Sequence, residues 1–131
     1  KPYIYTNAVV DSVDVKAKLL IDIGNSDALW LFQNLSKAIQ IPEKNFEDYL
    51  GQGFSGEVFG KRARIAQFSL NGFEFKNPIV AFPDTSSIKN VKMIPGRLGS
   101  VGGEIFKRFT LVFDYTNKLI YLKKEPSKRL L

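Results

Sequence analysis

The fold is decided by residues 19–26, which read LLIDIGNS. An apolar run ends here in an aspartate, and residues that favour turns follow it at once. The run continues an apolar–polar alternation that begins at Val13, a pattern that predicts a strand entering the interior from an edge. This strand would deliver the carboxylate of Asp22 to a tight turn, where Gly24 can take backbone conformations that other residues cannot. Alone, an Asp-x-Gly triplet is a weak signal, because aspartate often begins turns.

The composition limits the chemistry to a few side chains. The chain has 131 residues, 44% of them hydrophobic and 24% charged, which is typical of one globular domain. It contains no cysteine and no histidine, so disulfides, zinc–thiolate sites and Ser-His-Asp or Cys-His mechanisms are excluded. We therefore expect no metal and no cofactor. No apolar run approaches the roughly 20 residues that a membrane-spanning helix needs, so no membrane span is expected.

The net charge of +6 raises the question of an acidic partner. Proteins that bind nucleic acid usually concentrate their basic residues on one stripe. Here lysine and arginine are spread along the whole sequence, which favours a solvated basic surface and no nucleic-acid partner. A small basic β-barrel that binds nucleic acid stays a distant alternative, and it predicts a steep loss of affinity with salt.

Strand patterns dominate the rest of the chain and predict an all-β domain. Residues 64–70 alternate, Asn71-Gly72 is a two-residue hairpin signal, and residues 73–82 return; residues 111–113 and 119–121 form a second pair. Helical turns are predicted over residues 34–41, 42–50 and 103–109, a loop over 83–95, and a core position for Trp30. We expect a closed β-barrel with one or two short helices at residues 1–124, and a charged tail or linker to a following domain at 125–131.

These features resemble the retropepsin-like aspartic proteases. That family has an apolar-apolar-Asp-Thr-Gly-Ala-Ser motif near its N-terminus, where this chain has residues 20–26. A glycine-rich flap hairpin follows about thirty residues later, and residues 51–60 match it. A glycine-containing strand and a short helix come near the end, where residues 99–106 lie. The resemblance implies a closed acid-protease barrel with a substrate-binding flap formed by Gly53, Phe54, Ser55, Gly56 and Glu57.

The resemblance also implies a mechanism and a partner. Two aspartates share one proton, and the pair activates a water molecule without a covalent intermediate. Only Asp22 has a glycine two positions later, so the second catalytic aspartate would be Asp22 of another copy in a symmetric homodimer. The substrate would be an extended peptide or protein, and residues Ile23, Gly24, Asn25 and Ser26 would form the active-site loop.

Two departures from the family motif leave a second function open. Ile23 stands where the family has threonine or serine, whose hydroxyl bonds across the dimer axis, and Asn25 replaces a small alanine. The alternative is a catalytically inactive domain kept for peptide or protein binding, which would be indifferent to Asp22→Asn.

The likeness is greatest to the bacterial branch of the family. Three stretches carry it: residues 27–31 (DALWL), residues 77–84 (NPIVAFPD) and residues 109–123. In that branch such a domain commonly precedes a PDZ domain, and its members are generally exported. The resemblance therefore implies a C-terminal PDZ domain and an extracytoplasmic location.

Overall fold

An N-terminal hairpin lies near the centre of the sheet. The computed structural model describes residues 3–33, 36–53, 56–87 and 96–125, and it begins with the antiparallel strands β1 (Tyr3–Val10) and β2 (Val13–Asp22). Asp11 and Ser12 join them with positive φ angles of 47° and 68°, the geometry of a primed hairpin turn that matches the twist of the strands. Every second residue of β2 from Val15 to Ile21 is buried. The strand predicted from Val13 onward is thus confirmed.

Nine strands form one sheet, and two more form a separate ribbon. The further strands of the large sheet are β3 (Leu29–Leu31), β4 (Phe46–Gly53), β5 (Gly56–Arg64), β6 (Gln67–Leu70), β7 (Phe73–Lys76), β8 (Ile79–Pro83) and β9 (Arg97–Gly102). Their order is β4-β5-β8-β3-β9-β2-β1-β6-β7. The ribbon pairs β10 (Phe109–Asp114) with β11 (Leu119–Lys124). A helix α1 (Gly103–Phe106) and a 3₁₀ turn (Thr85–Ser87) complete the described elements.

The expected closed barrel is not found. Among the described residues, the sheet has two end strands, β4 and β7, that do not pair with each other. Most residues of β4 are exposed, so this strand behaves as a solvated edge rather than as a wall around a core. The all-β prediction is confirmed, and the prediction that the sheet closes into a barrel was wrong.

The helix predictions were mostly wrong. Residues 46–50, the second half of the helix predicted over 42–50, belong to strand β4, because pairing with β5 overrides the local signal from Pro42 and the acidic residues after it. Residues 36–41 form turns without a helix, and residues 34–35 lie outside the described part. The helix predicted at 103–109 exists, but it spans only Gly103–Phe106.

The two later hairpins were predicted correctly. Asn71 and Gly72 have positive φ angles of 50° and 85° and join β6 to β7, as expected for an Asn-Gly turn. The returning strand is interrupted at Asn77 and Pro78, so it forms β7 and β8 instead of one element. In the ribbon, Val112 pairs with Tyr121 and Phe113 with Ile120.

The main core lies on the buried side of the hairpin β1–β2. It joins apolar side chains of β1, β2, β6, β7, β8, β9 and α1. Phe68 and Phe75 are fully buried, and the rings of Phe73 and Phe75 lie 4.9 and 6.2 Å from that of Phe109, both edge to face. These contacts tie the first strand of the ribbon to the large sheet.

Several sequence predictions concern residues outside the described part. They are Phe54 and Ser55 of the predicted flap, residues 88–95 of the predicted loop, and residues 126–131 of the predicted tail. The boundary at residue 124 stays a prediction. Within the described residues, no helix is long and apolar enough to cross a membrane.

Candidate active site

Asp22 is the last residue of β2, and its side chain is half-buried. Its backbone carbonyl accepts a hydrogen bond of 3.1 Å from the Asn25 amide, which closes the turn that the sequence predicts. Strand β9 runs parallel to β2, and Gly102 is the partner of Asp22 in that pairing. Asp22 takes part in none of the ion pairs between described residues. Its carboxylate thus stands at a strand end and forms no ion pair with a described lysine or arginine.

The loop after Asp22 crosses over the end of β9. Residues 23–28 lead from β2 to β3, and these two strands flank β9 on opposite sides. Three backbone bonds fasten the loop to β9 and α1: the Gly102 amide donates to Ala28 (2.9 Å), Gly103 to Asn25 (2.7 Å) and Glu104 to Asp27 (3.4 Å). These backbone bonds hold the loop after Asp22 against the end of β9 and the start of α1.

The two glycines under this crossing have no space for a side chain. A Cβ on Gly102 would lie 2.2 Å from the carbonyl oxygen of Asp27, and a Cβ on Gly103 would lie 2.9 Å from that of Ile23. Both distances are shorter than atoms at Cβ normally approach. The glycine pair is therefore required by the close contact between the loop and the end of β9.

The structure brings the predicted loop residues together around Asp22. Ile23 is 53% exposed, Ser26 and Gly24 are exposed, and Asn25 is half-buried. The side-chain oxygen of Asn25 accepts a 3.0 Å hydrogen bond from the amide of Asp27, an Asx turn that shapes the loop.

The prediction that Gly24 takes a backbone conformation closed to other residues was wrong. Its φ lies outside the left-handed region, so Gly24 uses no conformation that is closed to other residues. A Cβ there would instead lie 3.5 Å from Oδ1 of Asp22, an ordinary contact. Gly24 leaves space beside the carboxylate.

Sequence reasoning missed a charged cluster that ties the loop to the β4–β5 hairpin. Asp27 accepts a hydrogen bond of 2.7 Å from Nε1 of Trp30 and forms an ion pair of 3.0 Å with Arg62 on β5. Arg62 also donates through Nε to Asp48 on β4, at 2.8 Å. Burial by itself lowers the pKa of Arg62, but the hydrogen bonds and charges of Asp48 and Asp27 more than offset it and raise that pKa. One guanidinium thus bridges three segments.

Trp30 joins the same region from its apolar side. It packs against a small cluster of Leu50, Val58 and Ala81, which belong to β4, β5 and β8. Its ring is half-buried, so the predicted core role holds in part, and its N–H orients Asp27. The short spacing between Asp27 and Trp30 could have indicated the hydrogen bond between them. Arg62 is distant in sequence, so no local pattern could have indicated its ion pair with Asp27.

The described part of the predicted flap lies at the tip of the β4–β5 hairpin. Gly53 pairs with Gly56, and Glu57 is exposed. Gly56 stands six residues along β5 from Arg62, about 20 Å in an extended strand. Arg62 therefore anchors the base of the hairpin and leaves its tip unrestrained by this contact.

Removal of the Arg62 bridge should loosen the hairpin. We expect Arg62→Gln to lower the free energy of local opening of residues 46–53 by about 1–2 kcal/mol, because hydrogen bonds to charged groups contribute roughly this much. Amide hydrogen exchange over β4 and β5 measures the effect. Arg64→Gln is the matched control, since Arg64 is an exposed arginine of the same strand that donates to the Asn77 carbonyl and forms no ion pair with the described residues. Equal protection of the β4 and β5 amides in the two variants would show that the Arg62 bridge does not stabilise the hairpin.

Comparison with known proteins links this geometry to one fold. No protein-family model matches the chain, and no curated protein matches it in sequence. Among solved structures, the chain is similar to a retropepsin-like aspartic protease from Rickettsia conorii, with a TM-score of 0.52 and 18% identity. The match covers 92% of this chain and 81% of the other. At this identity the likeness shows the fold, which is thus the retropepsin-like one.

Proposed function

We propose that this chain is one half of a homodimeric aspartic endopeptidase, with Asp22 of each copy contributing to a shared active site. The observation that carries the proposal is the position of Asp22. It ends a strand of a retropepsin-like fold, and the loop that follows it is held by three backbone hydrogen bonds from the end of β9 and the start of α1. A carboxylate at the start of a fixed loop, with no ion pair to the described residues, is suited to proton transfer.

The proposed chemistry needs two carboxylates close together. One Asp22, in its ionised form, takes a proton from a water molecule, which attacks the carbonyl carbon of the peptide bond. The other Asp22, protonated, gives its proton to the carbonyl oxygen, which produces a tetrahedral gem-diol. The first Asp22 then gives the proton it took from water to the amide nitrogen, and the C–N bond breaks and releases the amine. The second Asp22 takes a proton back from the gem-diol as the new carboxyl group forms, so the pair again holds one proton. Two like charges about 3 Å apart cannot both ionise, so the pair holds one proton and titrates as a unit.

A second copy supplies the second aspartate. No other aspartate of this sequence has a glycine two positions later. A two-fold axis beside Asp22 would place two identical turns face to face. In this arrangement the exposed Ile23 side chains lie near the axis.

The β4–β5 hairpin would act as a flap over an extended peptide. Backbone hydrogen bonds supply affinity in such a mode, and side-chain pockets supply selection. The anchored base and distant tip of this hairpin support the proposal, since a flap must stay attached while its tip opens.

Ile23 favours the second candidate, an inactive domain that binds peptides without cleaving them. Isoleucine has no hydroxyl to donate across the axis, so a dimer would lack the hydrogen bonds that the family motif implies. This candidate predicts peptide binding that Asp22→Asn leaves unchanged, and no turnover by either protein.

Replacement of Ile23 by threonine should strengthen the proposed dimer. Two hydrogen bonds across the axis, at about 1 kcal/mol each, should lower the dimer dissociation constant about tenfold or more and raise the cleavage rate. Sedimentation equilibrium of wild type, Ile23→Thr and the apolar control Ile23→Val measures this. A dimer weakened by threonine would show that Ile23 stabilises the axis by apolar contact.

The sequence resemblance extends the proposal to the cellular context. It supports an extracytoplasmic location and a PDZ domain C-terminal to this one. Fractionation of cells that express the full-length protein tests the first, because an exported protein is recovered outside the cytoplasm.

A peptide library tests the proposed activity. The purified protein is incubated with diverse peptides from acidic to neutral pH, and products are identified by mass spectrometry. Cleavage that a statine-type inhibitor blocks supports the aspartic endopeptidase. Binding of library peptides without any product would support the inactive binding domain instead.

A further inference from the structure

Arg97 is brought to the face of the sheet that carries Asp22 by an irregularity in β9. Lys18 of β2 pairs with Arg97, but the next residue, Leu19, pairs with Gly99, so Leu98 is an extra residue in β9. A bulge of this kind changes the side to which the preceding side chain points. Nη2 of Arg97 donates a hydrogen bond of 2.6 Å to Oγ of Ser100, so these two side chains lie on the same side of β9.

The register places Ser100 close to Asp22. Ser100 pairs with Leu20 and Gly102 with Asp22, so Leu20, Asp22 and Ser100 share one face of the two parallel strands. Ser100 lies two residues from the partner of Asp22, which corresponds to about 7 Å along a strand. The Arg97 guanidinium, bonded to Ser100, is therefore held near the carboxylate that the proposed function uses.

Within the described ranges, the positive charge of Arg97 forms no ion pair with a carboxylate. None of the ion pairs between described residues includes it, and the sequence has no acidic residue outside the described ranges. The side chain is half-buried, donates to the Gly99 carbonyl (3.0 Å) and lies 5.1 Å from the centre of the Phe32 ring. Burial lowers its pKa, while the nearby Tyr3 and Asp22 act in the opposite direction.

A half-buried guanidinium that forms no ion pair with the described residues is a good site for an anion. Two of its N–H groups are used by Gly99 and Ser100, and an arginine has five, so donors remain for a ligand. A carboxylate suits the planar arrangement of these donors, which can form two parallel hydrogen bonds with it.

We propose that Arg97 binds an acidic side chain of the peptide, within about three residues of the bond that is cut. An extended peptide rises about 3.3 Å per residue, so a few residues span the distance from Asp22 to Arg97. The proposal rests on the proposed function, because it places the peptide on the face that carries Asp22. It assigns the substrate class as peptides with glutamate or aspartate beside the cleavage site, and Arg97 as the residue that selects them.

The test compares two labelled peptide pools that differ at one fixed position, which is glutamate in one pool and glutamine in the other. Fluorescence anisotropy measures binding of each pool to the Asp22→Asn protein, so the result does not depend on cleavage. We expect the glutamate pool to bind about tenfold more tightly at low salt, and the difference to shrink as salt rises.

Three variants assign the preference to Arg97. Arg97→Gln should remove the preference, and Arg97→Lys should keep part of it because the charge remains. Arg64→Gln removes the same charge from an exposed site on β5 and should leave the preference intact. Thermal unfolding of each variant confirms that it folds.

The outcomes separate this proposal from the proposed function. Equal binding of the two pools by the folded Asp22→Asn protein would overturn the role of Arg97, whether or not the wild type cleaves peptides. A preference for glutamate with no cleavage by the wild type would support Arg97 and contradict the peptidase. A weaker dimer in Arg97→Gln with no change in preference would assign Arg97 to the contact between copies and overturn its role in selection.

Discussion

Asp22→Asn is expected to lower kcat/KM for peptide cleavage by about 10²–10⁴-fold, the contribution typical of general acid–base catalysis. Asparagine has nearly the same shape as aspartate but cannot take a proton from water. Because the side chain is half-buried and makes no ion pair in the described residues, its replacement should leave the fold unchanged. Rates of cleavage of a peptide selected from the library, together with thermal unfolding, measure both effects.

Asp14→Asn is the matched control for this prediction. Asp14 is an exposed aspartate on the same strand, near its opposite end. Its replacement should leave kcat/KM unchanged. Equal rates for wild type and Asp22→Asn would mean that another site or a contaminant cuts the peptide, and would end the assignment of Asp22.

Gly99→Ala should destabilise the protein more than Gly102→Ala or Gly103→Ala. A Cβ on Gly99 would lie 1.8 Å from the carbonyl oxygen of Trp30 and 2.9 Å from its carbonyl carbon. The backbone of β3 would have to move away from β9, since neither atom belongs to a flexible side chain. We expect the free energy of unfolding to fall by about 3 kcal/mol, measured by denaturant titration.

Gly24→Ala is the control for crowding by a single methyl group. Its Cβ would meet Oδ1 of Asp22 at 3.5 Å, an ordinary contact, and the backbone there is not left-handed. Its stability should stay within about 1 kcal/mol of wild type. If Gly99→Ala were equally harmless, the close approach of β3 and β9 would be wrong.

Local patterns predicted the elements whose geometry is local. Alternation identified β2, and Asn71-Gly72 identified the turn between β6 and β7, because residues two apart share a face and this dipeptide favours left-handed angles. The placement of Asp22 at a strand end followed from an apolar run meeting turn residues. These parts of the fold and of the candidate site could be read from the sequence.

Contacts between distant segments could not be predicted in this way. Residues 46–50 of β4 were predicted to be helical, since their own sequence does not show that β5 pairs with them. The ion pair between Arg62 and Asp27 joins residues far apart in sequence, and no periodic pattern of residues predicts it. Closure of the barrel depends on whether the end strands meet, which is likewise a long-range property.

The bulge that turns Arg97 was also beyond local pattern reasoning. A bulge is defined by the register of two strands, and Lys18 and Arg97 are brought side by side only when β2 and β9 pair. The position of Asp22 at a strand end could therefore be predicted from local pattern, whereas the position of Arg97 beside Ser100 could not.

A mixing experiment tests most directly whether two Asp22 residues share one site. Wild type and Asp22→Asn are mixed at a fixed total concentration well above the dimer dissociation constant, and cleavage is measured against the wild-type fraction. If one site needs Asp22 from both copies, activity follows the square of that fraction, and an equal mixture has about a quarter of the full rate. A linear dependence, with about half the rate in the equal mixture, would mean that each chain acts alone and would contradict the shared site.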